Sequence, residues 1–201
     1  IEIPNPKLWS PDDPFLYDLD IRLIGKKGRL DKVKGYFGMR KTSLGKDENG
    51  ITRMMLNNEF VFQNGPLDQG FWPDGIYTAP TDEALRWDIE TMKKHGFNCV
   101  RKHLKVEPSR WYYWCDKLGL LVWQDMPSAN AYQDRIDREK GVAVDKPQYK
   151  AELISMVRNN WNHPSIIMWV MFNEEQGQHD TEALAAEVKG LDPSRLVNPA
   201  S

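Results

Sequence analysis

The sequence predicts an α/β chain, a mostly parallel sheet with helices between its strands, entered through a short all-β segment. Three observations carry that reading. Short apolar runs at Phe60–Phe62, Phe97–Val100, Leu120–Trp123 and Ile166–Phe172 alternate with helical stretches, and a further strand begins at Leu196-Val197. Such alternation builds parallel sheets, because parallel neighbours need a long crossover, usually a helix. Ahead of it, Phe15, Tyr17, Leu19, Ile21 and Leu23 alternate with polar or turn-compatible residues, the period of a half-buried strand. The third is size: 201 residues, 40% of them hydrophobic, are ample for a buried core.

The elements follow in order. Pro4, Pro6, Pro11 and Pro14 forbid a helix before the first strand. Gly25-Lys26-Lys27-Gly28 turns the chain into a second strand through Val33, Gly35 and Phe37 to Arg40. Two or three strands do not stand alone as a sandwich. This segment is therefore expected to be the tail of a larger β-domain, and the opening Ile1-Glu2-Ile3-Pro4, with no basic leader, to be a cut end. A polar connector, Gly45 to Gly50, leads to a hairpin in which Asn57-Asn58 joins Met54-Met55-Leu56 to Phe60-Val61-Phe62. Asn tolerates the positive φ that a tight two-residue turn requires.

A first helix is predicted near 82–95. Thr81 caps it, Asp82 and Glu83 suit its positive end, Leu85, Ile89 and Met92 form its apolar stripe, and Gly96 ends it. A second covers 109–118 and closes at Gly119. A third covers 147–161, with Asp145 or Lys146 near its start and Pro147 in its first turn. Tyr149, Leu153, Met156 and Val157 face inward, and Asn162-His163-Pro164 stops it. A fourth covers 181–190.

Composition removes several function classes. Lys and Arg number 27 against 29 Asp and Glu, a net charge of −2, so the basic excess of a nucleic-acid binder is missing. No apolar run approaches the roughly 18 residues of a membrane span. No GxGxxG follows the first strand and no GxxxxGK[ST] occurs, so the nucleotide-binding readings lose their main support. Cys99 and Cys115 are too few for a disulfide scaffold or a thiolate zinc site and read as buried thiols. His95, His103, His163 and His179 lack metal-ligand spacing, so no metal or other cofactor is predicted. The 8 tryptophans serve either as core filler or as faces on which sugar rings stack. Compartment stays open.

The pattern leaves open whether the sheet is doubly wound or a barrel. In both, function gathers at the C-terminal ends of the strands. Asp68, Trp72, Asp74 and Tyr77 lie in the loop after the first apolar run, Arg101 and His103 after the second, Gln124 and Asp125 after the third, and Asn173, Glu174 and Glu175 after the fourth. Singly, each has a plainer reading: a carboxylate as a helix cap, an arginine as an ion-pair partner, a histidine as a loop hydrogen-bonder, and Trp111 and Trp114 as packing on a helix. Together, at successive strand ends, they suit a neutral polyhydroxyl ligand.

These residues sit in segments that resemble glycoside hydrolase family 2, the β-galactosidases, β-glucuronidases and β-mannosidases, over nearly the whole chain. WSPDDPFLYDLDI and GYFGMRK look like the end of the family's immunoglobulin-like sandwich, and LNNEFVFQNG like its hairpin and first barrel strand. DIETMKKHGFNCVR resembles the second-strand signature, YYWCDKLGLLVWQD the next helix and strand, and LDPSRLVNPAS the entry to the fifth strand. HPSIIMWVMFNEEQG is the most specific match, similar to the fourth strand with its Asn-Glu ending.

The resemblance implies that residues 1–42 end a β-sandwich and that 43–201 form the first half of a (β/α)8 TIM barrel, about four to five of its eight strands. It implies a retaining exo-β-glycosidase acting on a carbohydrate substrate, with Glu174 as general acid/base and Glu175 as its rival. Asn173 would bond the sugar 2-hydroxyl and Arg101 would support the nucleophile. Trp123, Asp125, His103, Asp68 and Trp72 are the further candidates for substrate contact. The nucleophile Glu comes from the family's seventh strand, beyond residue 201, so these 201 residues alone are expected to be inactive. The whole enzyme is expected to be a homo-oligomer. Divalent ions assist some relatives, but nothing in the spacing encodes such a site.

Two departures stand out. Many members place a His three residues after the second-strand Arg, whereas His103 comes two after Arg101. Val122 to Asp125, VWQD, is more like the β-mannosidase branch. The alternative reading is a carbohydrate-binding pseudo-enzyme with the same pocket. A later strand ending in a Glu that faces Glu174 would separate the two.

Overall fold

The computed structural model describes residues 2–128, 145–174 and 177–201. Strands β1 (Tyr17–Gly25) and β2 (Gly28–Phe37) form an antiparallel ribbon. Strands β3 (Thr42–Lys46), β4 (Thr52–Leu56) and β5 (Glu59–Phe60) form a small antiparallel sheet. A five-stranded sheet follows, from β6 (Leu67–Asp68), β7 (Cys99–Lys102), β8 (Leu121–Asp125), β9 (Ile166–Val170) and β10 (Leu196–Asn198). Its pairs are all parallel, and each strand lies beside its predecessor in sequence. Helices α1 (Asp82–Lys94), α2 (Ser109–Leu118), α3 (Lys146–Asn160) and α4 (Thr181–Leu191) lie between consecutive strands from β6 onward.

That strand order decides what the sequence pattern left open. A doubly wound sheet reverses direction at a switch point and carries helices on both faces. Here the order never reverses. The sheet's helical face packs Val100, Val122, Ile166 and Trp169 against Leu85, Ile89, Trp111, Leu153, Val157, Leu184 and Val188. Its other face packs Cys99, Leu121 and Ile167 against Trp9 and Leu56. The fold is a partial TIM barrel, helices outside and strands curving around an interior whose lower end is stopped by Trp9 and β4.

The local signals behave as their chemistry requires. The Thr81 hydroxyl accepts from the Ala84 amide at 3.1 Å. The Asp145 carboxylate accepts from the Gln148 amide at 3.0 Å at the start of α3. Gly119 ends α2 at φ +76, where a Cβ would stand 2.5 Å from the Pro11 carbonyl oxygen, so only glycine fits.

One expected element is different. Phe60–Phe62 is not a strand of the parallel sheet. Asn57 and Asn58, at φ +54 and +70, fold the chain back so that Glu59 and Phe60 pair with β4. The first parallel strand is instead the short Leu67–Asp68. Gly65 lets the chain run close alongside β7 on the way to it, since a Cβ there would lie 1.7 Å from the Cys99 carbonyl oxygen. Strands β7 and β8 also run slightly past their apolar runs, so Arg101 and Asp125 lie within the sheet rather than after it.

Buried polar groups fasten the lower end. The Asp116 carboxylate accepts from the Tyr36 hydroxyl at 2.8 Å and the Ser165 amide at 2.9 Å, and meets His163 Nδ1 at 2.6 Å. Arg40 donates to the Ile166 and Pro164 carbonyls at 2.7 and 3.0 Å, and Arg195 donates to Ile166 and His163 at 2.7 and 2.6 Å. These bonds satisfy carbonyls at the start of β9 and fix where that strand begins. On the ribbon, by contrast, Ile21, Leu23, Ile24, Leu30 and Val33 are exposed. No helix of the described residues is long and apolar enough to cross a membrane.

Candidate active site

Alternation along β7 and β8 sends Cys99 and Arg101, and Leu121, Trp123 and Asp125, to the interior face. At the upper end of that face, Arg101 and Asp125 meet as a fork. Arg101 Nε donates to Oδ1 and Oδ2 of Asp125 at 2.9 and 3.1 Å, and Nη2 donates to Oδ2 at 3.0 Å. Nη2 also donates to Asn173 Oδ1 at 3.1 Å, which links β7 to the chain leaving β9. His103 Nδ1 lies 2.9 Å from Asp125 Oδ2, and the Leu104 amide donates to the same oxygen at 3.4 Å. Leu104 holds φ +51, a conformation costly for a bulky residue. It turns the backbone so that His103 and its own amide both face Asp125.

This arrangement divides the expected site residues. Asp125 is 2% exposed in its side chain and gathers donors from Arg101, His103 and Leu104. It serves as the counter-ion that aims its neighbours. With Nδ1 turned to that carboxylate, the Nε2 edge of the His103 ring faces away from Asp125. With its oxygen held by Arg101, buried Asn173 has an amide NH2 that meets no partner among the described residues. Glu174 follows on an exposed turn. Glu175 lies outside the described residues.

The turn at Asn173 is braced from below. Tyr149 stacks on Phe172 with ring centroids 4.7 Å apart, and its hydroxyl donates to the Met171 carbonyl. Burial, with the Asp125 charge adding to it, pushes the Tyr149 phenol well above its ordinary pKa, so it stays a donor. Gln178 donates to the Asn173 carbonyl at 2.9 Å. Sequence reasoning missed Tyr149 and Gln178 as supports. Tyr149 was legible only as an inward residue of its helix, and Gln178 only by its nearness to the Asn-Glu pair.

The remaining candidates lie elsewhere. Trp123 faces the interior one layer below Asp125, its indole N–H bonded to Gln63, and lines a cavity of about 210 Å³ with Cys99, Arg101 and Leu67. Asp68 bonds Lys102 on the helical side of the sheet, and Trp72 packs against the helical core. A larger hollow of about 620 Å³, lined by Glu107, Met126, Met156 and Asn160, lies on that same helical side and includes none of the expected site residues. Among the described residues, no three His, Cys, Asp or Glu side chains are grouped as metal ligands.

The strand order, the interior-facing Arg101 and the Asn173-Glu174 turn describe one end of half a barrel. The profile described as "Glycosyl hydrolases family 2, TIM barrel domain" matches residues 77–201, and the family's "Glycosyl hydrolases family 2" profile matches residues 1–40. The chain belongs to glycosyl hydrolase family 2. A β-galactosidase of Lactococcus lactis is 31% identical over 199 residues, which is 98% of this chain and 19% of that protein. A putative β-glucuronidase of Formosa agariphila is 31% identical over 98% of this chain and 18% of its own length. The chain thus spans about a fifth of these family 2 relatives. In structure it superposes on a family 2 β-galacturonidase of Eisenbergiella tayi with a TM-score of 0.79, at 24% identity, over 98% of this chain and 34% of that one. At that identity the likeness speaks to the fold.

Proposed function

We propose that the chain supplies the acid/base half of a retaining exo-β-glycosidase, with Glu174 as proton donor. The observation that carries the reading is the Arg101–Asn173 bond immediately before Glu174. It joins a guanidinium and an amide at the strand end from which a carboxyl group emerges. The relatives' names point to terminal β-linked galactose or glucuronic acid as the sugar, and the VWQD segment adds β-mannose to the panel worth testing.

The chemistry fits the parts. A glycosidic oxygen leaves poorly unless it is protonated as its bond breaks, and Glu174 supplies that proton. The second carboxylate, the nucleophile, belongs on a later strand outside these 201 residues, roughly 5–5.5 Å from the acid. Among the described residues only Nε and Nη2 of Arg101 are engaged, which leaves Nη1 to hold that nucleophile. Asn173 donates to the 2-hydroxyl, whose bond strengthens as charge develops on the ring. Self-association of the complete enzyme belongs to the same proposal.

The test uses the complete enzyme with Glu174→Gln and Glu175→Gln. Glu174→Gln is expected to lower kcat on an unactivated disaccharide by at least about 10²-fold, in the range of general acid catalysis. On an aryl glycoside that needs no protonation it should lower kcat/KM, which reports formation of the glycosyl-enzyme, far less than kcat, which its slow hydrolysis then limits. The same pattern in Glu175→Gln alone would move the assignment by one residue.

A further inference from the structure

The peptide that joins Asn173 to Glu174 is held from outside its own strand. Gln178 Nε2, on the chain entering α4, donates to the Asn173 carbonyl at 2.9 Å. A peptide unit is planar, so that oxygen shares a plane with the Cα of Glu174. Turning the plane about the Asn173 Cα–C bond would swing the oxygen and the Glu174 Cα together. The Gln178 bond opposes that turn. At its other end the unit is anchored by the Asn173 side chain, whose oxygen accepts from Arg101 Nη2 at 3.1 Å. Bonds from β7 and from the chain entering α4 thus set the direction in which the Glu174 side chain departs.

The rest of the exit from β9 is bonded residue by residue. The Val170 carbonyl accepts from the Met126 amide at 2.7 Å, the Met171 amide donates to the Asn198 carbonyl at 3.0 Å, and the Phe172 carbonyl accepts from the Ser201 amide at 3.1 Å. These are main-chain bonds, available whatever the side chains. The Met171 and Asn173 carbonyls differ, because their partners are side chains, the Tyr149 hydroxyl and the Gln178 amide. Gln178 is fastened to the same aromatic stack through its neighbour. The His179 ring, in a side chain 8% exposed, stands edge-on to Tyr149 and Phe172 with centroids 5.3 and 5.4 Å away. Gln178 itself is exposed, so its bond adds little to the core and acts on the one peptide it holds.

We infer that Gln178 and Tyr149 are positioning residues for the proton donor, acting on Glu174 through the peptide units that lead into it. This rests on the glycosidase reading. An acid serves only within hydrogen-bond reach of the leaving oxygen, roughly 2.6–3.2 Å. A misplacement of about 1 Å can cost about 10²-fold. Loss of the Gln178 bond therefore costs most where the leaving group needs the proton and least where it needs none.

The test is the leaving-group dependence of kcat/KM in the complete enzyme, with dinitrophenyl, phenyl and methyl β-D-galactosides and the matching glucuronides and mannosides. This quantity reports formation of the glycosyl-enzyme. Gln178→Met removes the donor and keeps the length of the side chain. It is expected to lower kcat/KM at least about tenfold on the phenyl and methyl glycosides and less than about twofold on the dinitrophenyl one. In a Glu174→Gln background the same substitution should cost less than about twofold on every leaving group, because a residue that acts through Glu174 has nothing left to act on. Tyr149→Phe keeps the ring stack and should show the same split, and it decides the matter should Gln178→Met fold poorly. An equal loss on all leaving groups, an undiminished further loss in the Glu174→Gln background, or no loss in a folded variant overturns the positioning role. A steep leaving-group dependence in Glu174→Gln leaves the proposed acid standing in each of those cases. A Glu174→Gln variant without that dependence overturns the acid assignment and the positioning role with it.

Discussion

Asp125 shows how one carboxylate changes meaning between sequence and structure. Its place at a strand end made it a candidate for substrate contact, although the structure puts it within β8 rather than after it. Its engagement by Arg101, 24 positions earlier, was not legible, because a fork depends on the directions of two side chains across neighbouring strands. Removing one partner of a buried pair leaves the other charge uncompensated, at a cost of about 3–5 kcal/mol. Arg101 keeps 20% exposure, so Asp125→Ala is expected near the lower end of that range, with Asp125→Asn milder because it retains an acceptor. Urea unfolding of the two variants checks the order, and equal stabilities would contradict it. Burial also pushes the Cys99 thiol up to about 12 and the Cys115 thiol well above its usual value. Thiolate is the reactive form. Iodoacetamide at pH 8 should therefore leave both thiols unmodified in the native chain and label both in urea, as read by intact mass.

At the scale of elements, the helices were legible because their signals are local. Thr81, Asp145 and Gly119 act on backbone groups within one turn of themselves. Gly119→Ala tests this. The substitution forces a side chain into left-handed backbone and against the Pro11 carbonyl, so a loss of more than about 1 kcal/mol is expected. A variant as stable as wild type in thermal melts would mean that the Pro11 segment yields freely. The strands were less legible. Phe60–Phe62 and the parallel strands share one composition, and an apolar run does not say which neighbour it pairs with. The Asn57-Asn58 turn settles the pairing in favour of β4, and the sheet begins instead at the two-residue β6. The hairpin closed by the Trp72 and Ile76 main-chain bonds was visible only as an aromatic, acidic loop. Lys105 bonds its Gly70 and Tyr77 carbonyls across 35 and 28 positions, and lysines are expected at the surface until a fold supplies partners for them.

For the whole molecule, the sheet order and its two unlike faces settle the architecture that periodicity left undecided, a partial barrel of five consecutive parallel strands among the described residues. Arg101, His103, Asp125 and Asn173 form one connected hydrogen-bonded group, with Glu174 just beyond it. The proton donor is the claim on which the functional account stands. Its most direct measurement is azide rescue of Glu174→Ala in the complete enzyme, using an aryl β-glycoside whose leaving group departs without protonation. Such a variant should still form the glycosyl-enzyme ester but hydrolyse it slowly for want of a base. Azide, which needs no base, should restore turnover and yield the β-glycosyl azide. Wild-type hydrolysis by Glu174→Ala without azide, or slow turnover that azide leaves unchanged, would contradict the assignment.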